Sequence, residues 1–456
     1  MKDLAIVGSG PGGYVAAIRA AQLGMAVTLI EEAETLGGIC LNWGCIPSKA
    51  LLRNAEVLHL IQEADRFGIK AGEVVADFDS AITRSREVVS KLVQGVAFLM
   101  RKNGVEVIHG RARLLSEQSL EVTPSGQQVA ASQIILATGA RPKTLPGLVT
   151  DGKSVFTSRE ALELRQLPKS CVIVGGGAIG AEFAYVYSSY GVEVTVVEAL
   201  PRLLPQEDAD VSKELTRQFE RQKIGVRTGS LIQRSERGAD GWRLHLENGE
   251  VVEGEMVLTA TGVVANTERL GLEELGVVVD GGFVKVDDHL RTNIPGVFAI
   301  GDVNGPPLLA HAASAEGVIA VETAAGREVK PLDPIQVPRC TYCQPQVASA
   351  GLTEEQAKER GHQVRIGKFP FSASGKAIAM GDTVGFIKTV VDSETGQLLG
   401  THAIGAEVTE LLPEMVMAAW AGVKAEQFEA LVHAHPTLSE SLKEAALAAE
   451  GLAIHI

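Results

Sequence analysis

A thirty-residue pattern occurs twice in this chain, and it constrains the fold more than any other feature. "DLAIVGSGPGGYVAAIRAAQLGMAVTLIEE" reads as an apolar strand, a glycine turn, a helix and a second strand closing on a carboxylate. "SCVIVGGGAIGAEFAYVYSSYGVEVTVVEA" repeats it. Gly8, Gly10, Gly13, Gly24 and Glu31 match Gly175, Gly177, Gly180, Gly191 and Glu198, each pair 167 residues apart. The physical reading is a dinucleotide-binding βαβ unit. Its first glycine makes the tight turn, its second lets backbone approach a pyrophosphate, and its third lets helix pack on strand. The helix N-terminus offers unpaired N–H groups to the phosphates. The carboxylate, 23 residues after the first glycine in both copies, accepts hydrogen bonds from a ribose. One such glycine run is weak evidence; two in the same context are strong. At Glu198 a carboxylate suits a 2′,3′-diol and repels a 2′-phosphate, favouring NAD over NADP. Arg202, just after Pro201, reads as a surface charge.

Two such units set the fold class: α/β, with two Rossmann-type dinucleotide-binding domains. At 456 residues the chain is long enough for about three domains at roughly 150 residues each. "IILATGARP" and "VLTATGVVAN" look like strands leaving their domains, which puts boundaries near 143 and 266. "GVFAIGDVNG" (296–305) is a buried strand ending in Gly-Asp. Asp302 there either holds a polyol or makes an Asx turn, and the residues alone leave both open. From about 336 the pattern changes to "VASAG", "VGFIKTVVD" and "LLGTHAIG" followed by helices, a separate α+β domain. The expected order is therefore 1–143, 144–266, a segment 267–335 returning to the first domain, and 336–456.

Composition narrows the partners. A formal charge of −14 leaves no basic stripe for a nucleic acid. No apolar run approaches the roughly 18 residues of a membrane helix. The first strand begins almost at Met1, and five cysteines do not make a secreted disulfide framework, so a cytoplasmic location is expected.

"GGICLNWGCIPSK" (37–49) places Cys40 and Cys45 five positions apart. Zinc would need two more ligands, and no second Cys/His cluster stands nearby in sequence, so no metal is expected. A staple closing so short a loop would contribute only about 2 kcal/mol. Redox is the better reading. On a regular helix such residues lie roughly 8–9 Å apart at Cα, whereas a disulfide needs about 4.4–6.8 Å. The helix must be distorted there, and Gly44 and Pro47 permit it. A base for thiol chemistry is at hand in "HAHPTLSESLKEAALAAE". Pro436 reads as a helix start, and Glu440 is either a carboxylate orienting the His435 imidazole or an ordinary first-turn acid. His433 is the local competitor. Lys49 and Glu182 on their own read as a solvated helix lysine and a first-turn acid. Cys340 and Cys343 form a CxxC whose prolines and strand context favour reduced, buried thiols. Cys171 reads as core packing, and His311 as a structural residue near a helix start.

With these residues in view, the chain resembles the flavin disulfide reductase family along its whole length. The likeness is carried by the glycine run at 8–13, "GGICLNWGCIPSKALL", the two ATG strands, "GGGAIGAE", "AIGDV", "LAHAASAEG" and "HAHPTLSE". "CIPSKALL" looks like the dihydrolipoamide-oxidising branch. The resemblance implies FAD on the first fingerprint, with Glu31, Gly139 and Asp302, and NAD on the second. It makes 336–456 a dimerisation domain of a homodimer. Cys40 would exchange with substrate and Cys45 lie over the flavin. Lys49 would pair with Glu182 beside the nicotinamide. His435, joined to Pro436 by a cis peptide, and Glu440 would come from the other subunit. The lipoyl group would arrive on an acyltransferase or a glycine-cleavage carrier protein, since no lipoyl domain is present here. "TGVVAN" lacks the arginine and proline common in the family, and Ala312 stands where a lysine is common. A glutathione reductase would want NADPH, which Glu198 opposes. A non-catalytic scaffold would have no use for the base.

Overall fold

The structure is a computed structural model describing residues 1–456, and it divides into two compact units. The first comprises Met1–Ala50, Ser80–Lys143 and Gly262–Pro334. At its centre the strands Glu106–His109, Val27–Glu31, Lys2–Val7, Gln127–Leu136 and Val297–Ala299 run parallel in that spatial order. Gln127–Leu136 also extends into an antiparallel meander with Ser119–Thr123 and Arg111–Ser116. The central strands are near-continuous apolar runs, as a sheet covered on both faces requires. Leu4, Ile6, Leu29 and Ile135 face one core, and Ala5, Ile30, Ile134 and Leu136 the other.

Helices link Lys2–Val7 to Val27–Glu31 and that strand to Glu106–His109, whereas the antiparallel meander leads to Gln127–Leu136 on the other side of Lys2–Val7, the strand that carries the first fingerprint. The helix Pro11–Gln22 follows it, with Pro11 at the first turn, where its missing N–H costs nothing. The strand Val297–Ala299 ends two residues before Gly301, and Gly301–Val303 forms a 3₁₀ turn that places Asp302 beyond the strand end.

The second unit comprises Leu51–Asp79, Thr144–Thr261 and Ile335–Ile456. One of its sheets is again parallel, ordered Gly225–Arg227, Glu193–Val197, Ser170–Val174, Met256–Thr259 and Val155–Thr157. Another is antiparallel, ordered Arg339–Thr341, Gln346–Gly351, Leu398–Gly405, Gly385–Asp392 and Val364–Pro370. One face of that sheet is apolar. Ala348, Ala403, Ile387 and Phe369 lie in register on it and share a core with the helices Val408–Trp420 and Glu440–Ala449. Two Rossmann-type sheets and an α+β segment are the fold class expected from the sequence. No helix is long and apolar enough to cross a membrane.

Two local expectations are corrected. Pro436 does not start a helix, which begins only at Glu440, although the His435–Pro436 bond is cis as expected. Glu182 is the fifth residue of the helix Ala178–Ser189, because that helix starts directly after Gly177.

Candidate active site

Both glycine turns have the same construction. A Cβ on Gly13 would stand 1.9 Å from the Gly8 carbonyl oxygen, and one on Gly180 1.9 Å from that of Gly175. Only bare backbone fits at these positions. Gly8 and Gly175, at φ +102° and +113°, press in turn on the carbonyls of Ala137 and Ala260, the alanines of the two ATG segments. Gly139, two residues after Ala137, sits at φ +65°. The middle glycines behave differently. Nothing lies within 4 Å of a Cβ built on Gly10 or Gly177. That open space, at the N-terminus of a twelve-residue helix in each case, fits a pyrophosphate.

The two carboxylates close these turns from the next strand. Glu31 Oε2 accepts from the Ser9 amide at 2.8 Å and the Ser9 hydroxyl at 2.6 Å, and Oε1 from the Ala33 amide at 2.8 Å. Glu198 accepts from the amides of Gly176 and Leu200 at 2.5 and 2.7 Å. Each carboxylate is thus tied to the residue between the first two glycines, with lone pairs left for a diol. Ser9 is a contributor that the sequence reading passed over. Fully buried, it also accepts from the Gly37 amide at 3.1 Å, joining the turn to the start of the cysteine segment.

Asp302 is raised above the usual carboxylate range by burial. Glu316, also raised by burial, accepts from the Gly301 amide at 2.6 Å and from Asn304 at 3.1 Å, and so pins the turn that carries Asp302. Glu316 lies in the "AEG" of the motif noted above, but its spacing from Asp302 carries no signal of its own. His311 is exposed at the second position of the helix Ala310–Ala324.

The cysteine pair straddles a break. The helix Gly38–Trp43 stops at Gly44, whose ψ of −115° is not helical, and a new helix begins at Cys45. A Cβ on Gly44 would come within 3.0 Å of the Ile39 carbonyl and 3.2 Å of Cys40 Cα, so glycine is what lets the two segments close up. Asn42 holds the first segment through the carbonyls of Leu36 and Gly38, at 3.1 and 2.9 Å. Ser85 and Arg86 donate to the carbonyls of Pro47 and Asn42, at 3.1 and 2.9 Å. Cys40 and Cys45 are both half-buried, not bridged, and hydrogen-bonded to each other. That bond, then burial, then the charge of Cys45 push the Cys40 thiol far above its ordinary range, and the Lys49 ammonium pulls it back. The pair therefore resists carrying two negative charges at once.

Glu182 is buried, and its Oε1 accepts from the Tyr342 amide at 3.1 Å. His435 Nδ1 lies 2.9 Å from Glu440 Oε1, and the His435 side chain is 78% exposed. Burial would raise the Glu440 carboxyl, but the Thr437 amide at 2.8 Å and the imidazole outweigh it and hold it low. His433 is turned inward, 10% exposed, against Glu414 at 2.7 Å. Arg202 is engaged by Glu355 in a two-pronged ion pair at 2.8 and 3.2 Å. Cys343 is buried with its thiol 3.4 Å from the Pro345 carbonyl, and Cys340 is half-buried. Cys171 is buried in its strand.

Residues 2–317 match the family described as pyridine nucleotide-disulphide oxidoreductase, and residues 337–446 its dimerisation domain. The chain is 48% identical to the dihydrolipoyl dehydrogenase of Zymomonas mobilis subsp. mobilis over 461 residues, spanning 99% of both. It is 45% identical to that of Bacillus subtilis over 469 residues, again 99% of both. Among solved structures it is similar to LpdA from Mycobacterium tuberculosis, with a TM-score of 0.92 and 28% identity over 98% of this chain and 99% of that one. It is also similar to RclA from Escherichia coli, an HOCl-induced flavoprotein disulfide reductase, with a TM-score of 0.88 and 28% identity over 98% and 99%.

Proposed function

This chain belongs to the pyridine nucleotide-disulphide oxidoreductase family, and from that premise we propose which of its groups carry the reaction. It is an NAD-dependent dihydrolipoamide-oxidising enzyme with FAD as its flavin. FAD lies on Gly8, Gly10 and Gly13 with Glu31, Gly139 and Asp302. NAD lies on Gly175, Gly177 and Gly180 with Glu198. The open space over Gly10 and over Gly177 supports both assignments.

Glu440 can only accept a hydrogen bond, so it keeps the proton of His435 on Nδ1 and leaves the Nε2 lone pair as base. Nε2 takes the proton from one thiol of dihydrolipoamide. The resulting thiolate attacks Cys40 Sγ of the oxidised pair, the Cys40–Cys45 bond breaks, and Cys45 leaves as a thiolate with the electron pair. The second substrate thiol attacks the substrate sulfur bonded to Cys40, that mixed disulfide breaks, and its proton passes to the departing Cys40 sulfur, closing lipoamide and leaving the reduced cysteine pair. Lys49 offsets the single negative charge that this pair retains. Bound FAD supplies the two-electron link between a sulfur donor and a hydride acceptor. Glu182, held by the Tyr342 amide, acts beside the nicotinamide end of NAD.

The active unit is a homodimer in which His435 and Glu440 serve Cys40 and Cys45 of the other subunit. The exposed imidazole, directed out of its own unit's core, supports this. The lipoyl group comes on an acyltransferase or a glycine-cleavage carrier protein, in the cytoplasm. The observation that carries the reading is the hydrogen-bonded thiol pair across the Gly44 break, with a lysine one turn on. NAD⁺ reduction by dihydrolipoamide tests it, with glutathione and NADP⁺ as comparisons. Equal rates with glutathione, or with NADP⁺, would overturn the substrate or the coenzyme assignment.

A further inference from the structure

A lysine stands inside the interior strand Gly385–Asp392 (GFIKTVVD), with its side chain 4% exposed. Strand register explains where it points. Arg339, Ser349, His402, Lys388 and Lys368 are successive cross-strand partners and form one polar row across all five strands of the antiparallel sheet. The opposite face is the apolar core. Acids from the end of the loop after Glu198 cover the polar row. Glu207 pairs with Arg339 at 3.1 Å and accepts from Ser349. Lys388 Nζ donates to Asp208 at 2.9 Å and Asp210 at 3.2 Å, with Glu354 at 2.8 Å as its third partner.

A buried ammonium persists only when such partners hold it. Here burial would lower the Lys388 pKa, but Glu354 and Asp208 outweigh it and raise it, so the group is charged throughout the neutral range. The network leads on to the coenzyme fingerprint. The Glu207 amide donates to the Leu204 carbonyl at 2.9 Å, and the Leu204 amide to the Gly176 carbonyl at 2.8 Å. The Gly176 amide then donates to Glu198 at 2.5 Å. Leu204 is buried at φ +46°, a conformation a branched side chain does not keep unless its surroundings impose it. The loop is thus a strained bridge. One end lies on the glycine turn and the other is anchored in the sheet by Lys388.

We infer that Lys388 is a positioning residue for NAD⁺, acting through Asp208 and the Leu204 bridge to hold Glu198 and the Gly176 turn in their binding geometry. The inference rests on the reading that the second fingerprint binds NAD, and the controls separate the two.

The holoenzyme carrying Lys388→Met should show a KM for NAD+ raised about tenfold. Its flavin should be reduced by dihydrolipoamide in rapid mixing at the wild-type rate, and its KM for dihydrolipoamide should not move. Lys388→Arg should restore most of the NAD+ affinity. Glu354→Gln and Asp210→Asn loosen the network without leaving a bare buried charge. They should raise the same KM severalfold, and they carry the test if Lys388→Met does not fold. An unchanged KM for NAD+ in these folded variants would overturn the inference. So would parallel losses in the NAD+ and dihydrolipoamide parameters, which mark general destabilisation. Glu198→Ala is measured alongside. If it shifts NAD+ binding while the network variants do not, only the positioning role falls. If it too leaves NAD+ binding untouched, the coenzyme site itself has been misassigned.

Discussion

Replacing Gly177 by alanine separates the coenzyme site from the fold that carries it. The new methyl group meets no protein atom within 4 Å, and Gly177 already has φ −75° and ψ −173°, which any residue adopts. Two small effects on stability oppose each other. Alanine reduces the freedom of the unfolded chain, worth about 0.4–1 kcal/mol. It is also a poorer N-cap than glycine, by roughly the same amount. The melting temperature should therefore barely change. Binding should change much more. If the pyrophosphate lies over Gly177, the methyl overfills a close contact at about 1–3 kcal/mol, or roughly 5- to 150-fold in affinity. The assay measures initial rates against NAD⁺, with flavin content and melting temperature on the same preparation. KM for NAD⁺ should rise within that range while FAD content and dihydrolipoamide reduction of the flavin stay at wild-type values. Gly180→Ala is the contrast: its methyl would stand 1.9 Å from the Gly175 carbonyl, so it should damage folding first. An unchanged KM in folded Gly177→Ala would refute the reasoning, because the space over Gly177 would then not be where the pyrophosphate goes.

Cys45→Ser should keep FAD but lose the thiolate-to-flavin charge-transfer band on two-electron reduction, whereas Cys40→Ser should retain it; swapped spectra would exchange the two roles. His435→Gln should slow dihydrolipoamide oxidation by about 10²–10⁴ and spare NADH-to-dye turnover. Mixed dimers of His435→Gln with Cys45→Ser subunits should recover activity, and no recovery after proven exchange would put both groups of a site on one chain. Glu354 is held below its ordinary pKa by Lys358 and Lys388, so it stabilises the fold above the unfolded carboxylate pKa and loses that contribution as pH falls through its own. The melting-temperature gap between wild type and Glu354→Gln should accordingly close as pH falls below the unfolded carboxylate pKa of about 4.3, and a gap that widens in acid would contradict the sign.

What could be read from sequence depended on how local the physical requirement is. The two fingerprints were legible because a tight turn, a bare backbone approach and a strand-end carboxylate are each dictated within thirty residues. The break at Gly44 was legible for a similar reason: two cysteines five apart cannot meet on a regular helix, and a glycine stood between them. The Pro436 error is also local. Proline suits a helix start, but here it follows His435 in a cis bond and the helix waits for Glu440. Ser9 and Glu316 were missed because a hydroxyl between two glycines and a mid-helix acid look ordinary until their partners 22 and 15 residues away are in place. The polar row was hidden more deeply. It takes one residue from each of five strands, and only their pairing register aligns them. Lys388 alone carried a hint, a charge inside "VGFIKTVVD" where an edge strand would explain it. The strand is interior, so the charge had to be answered from elsewhere: Glu354 lies nearby in the chain, but Asp208 and Asp210 lie 180 and 178 residues earlier, where the loop that leaves Glu198 runs into the next helix. A sheet assigned to dimer contacts thus also bears on the coenzyme site, and this coupling becomes visible only when a buried charge is traced to its partners.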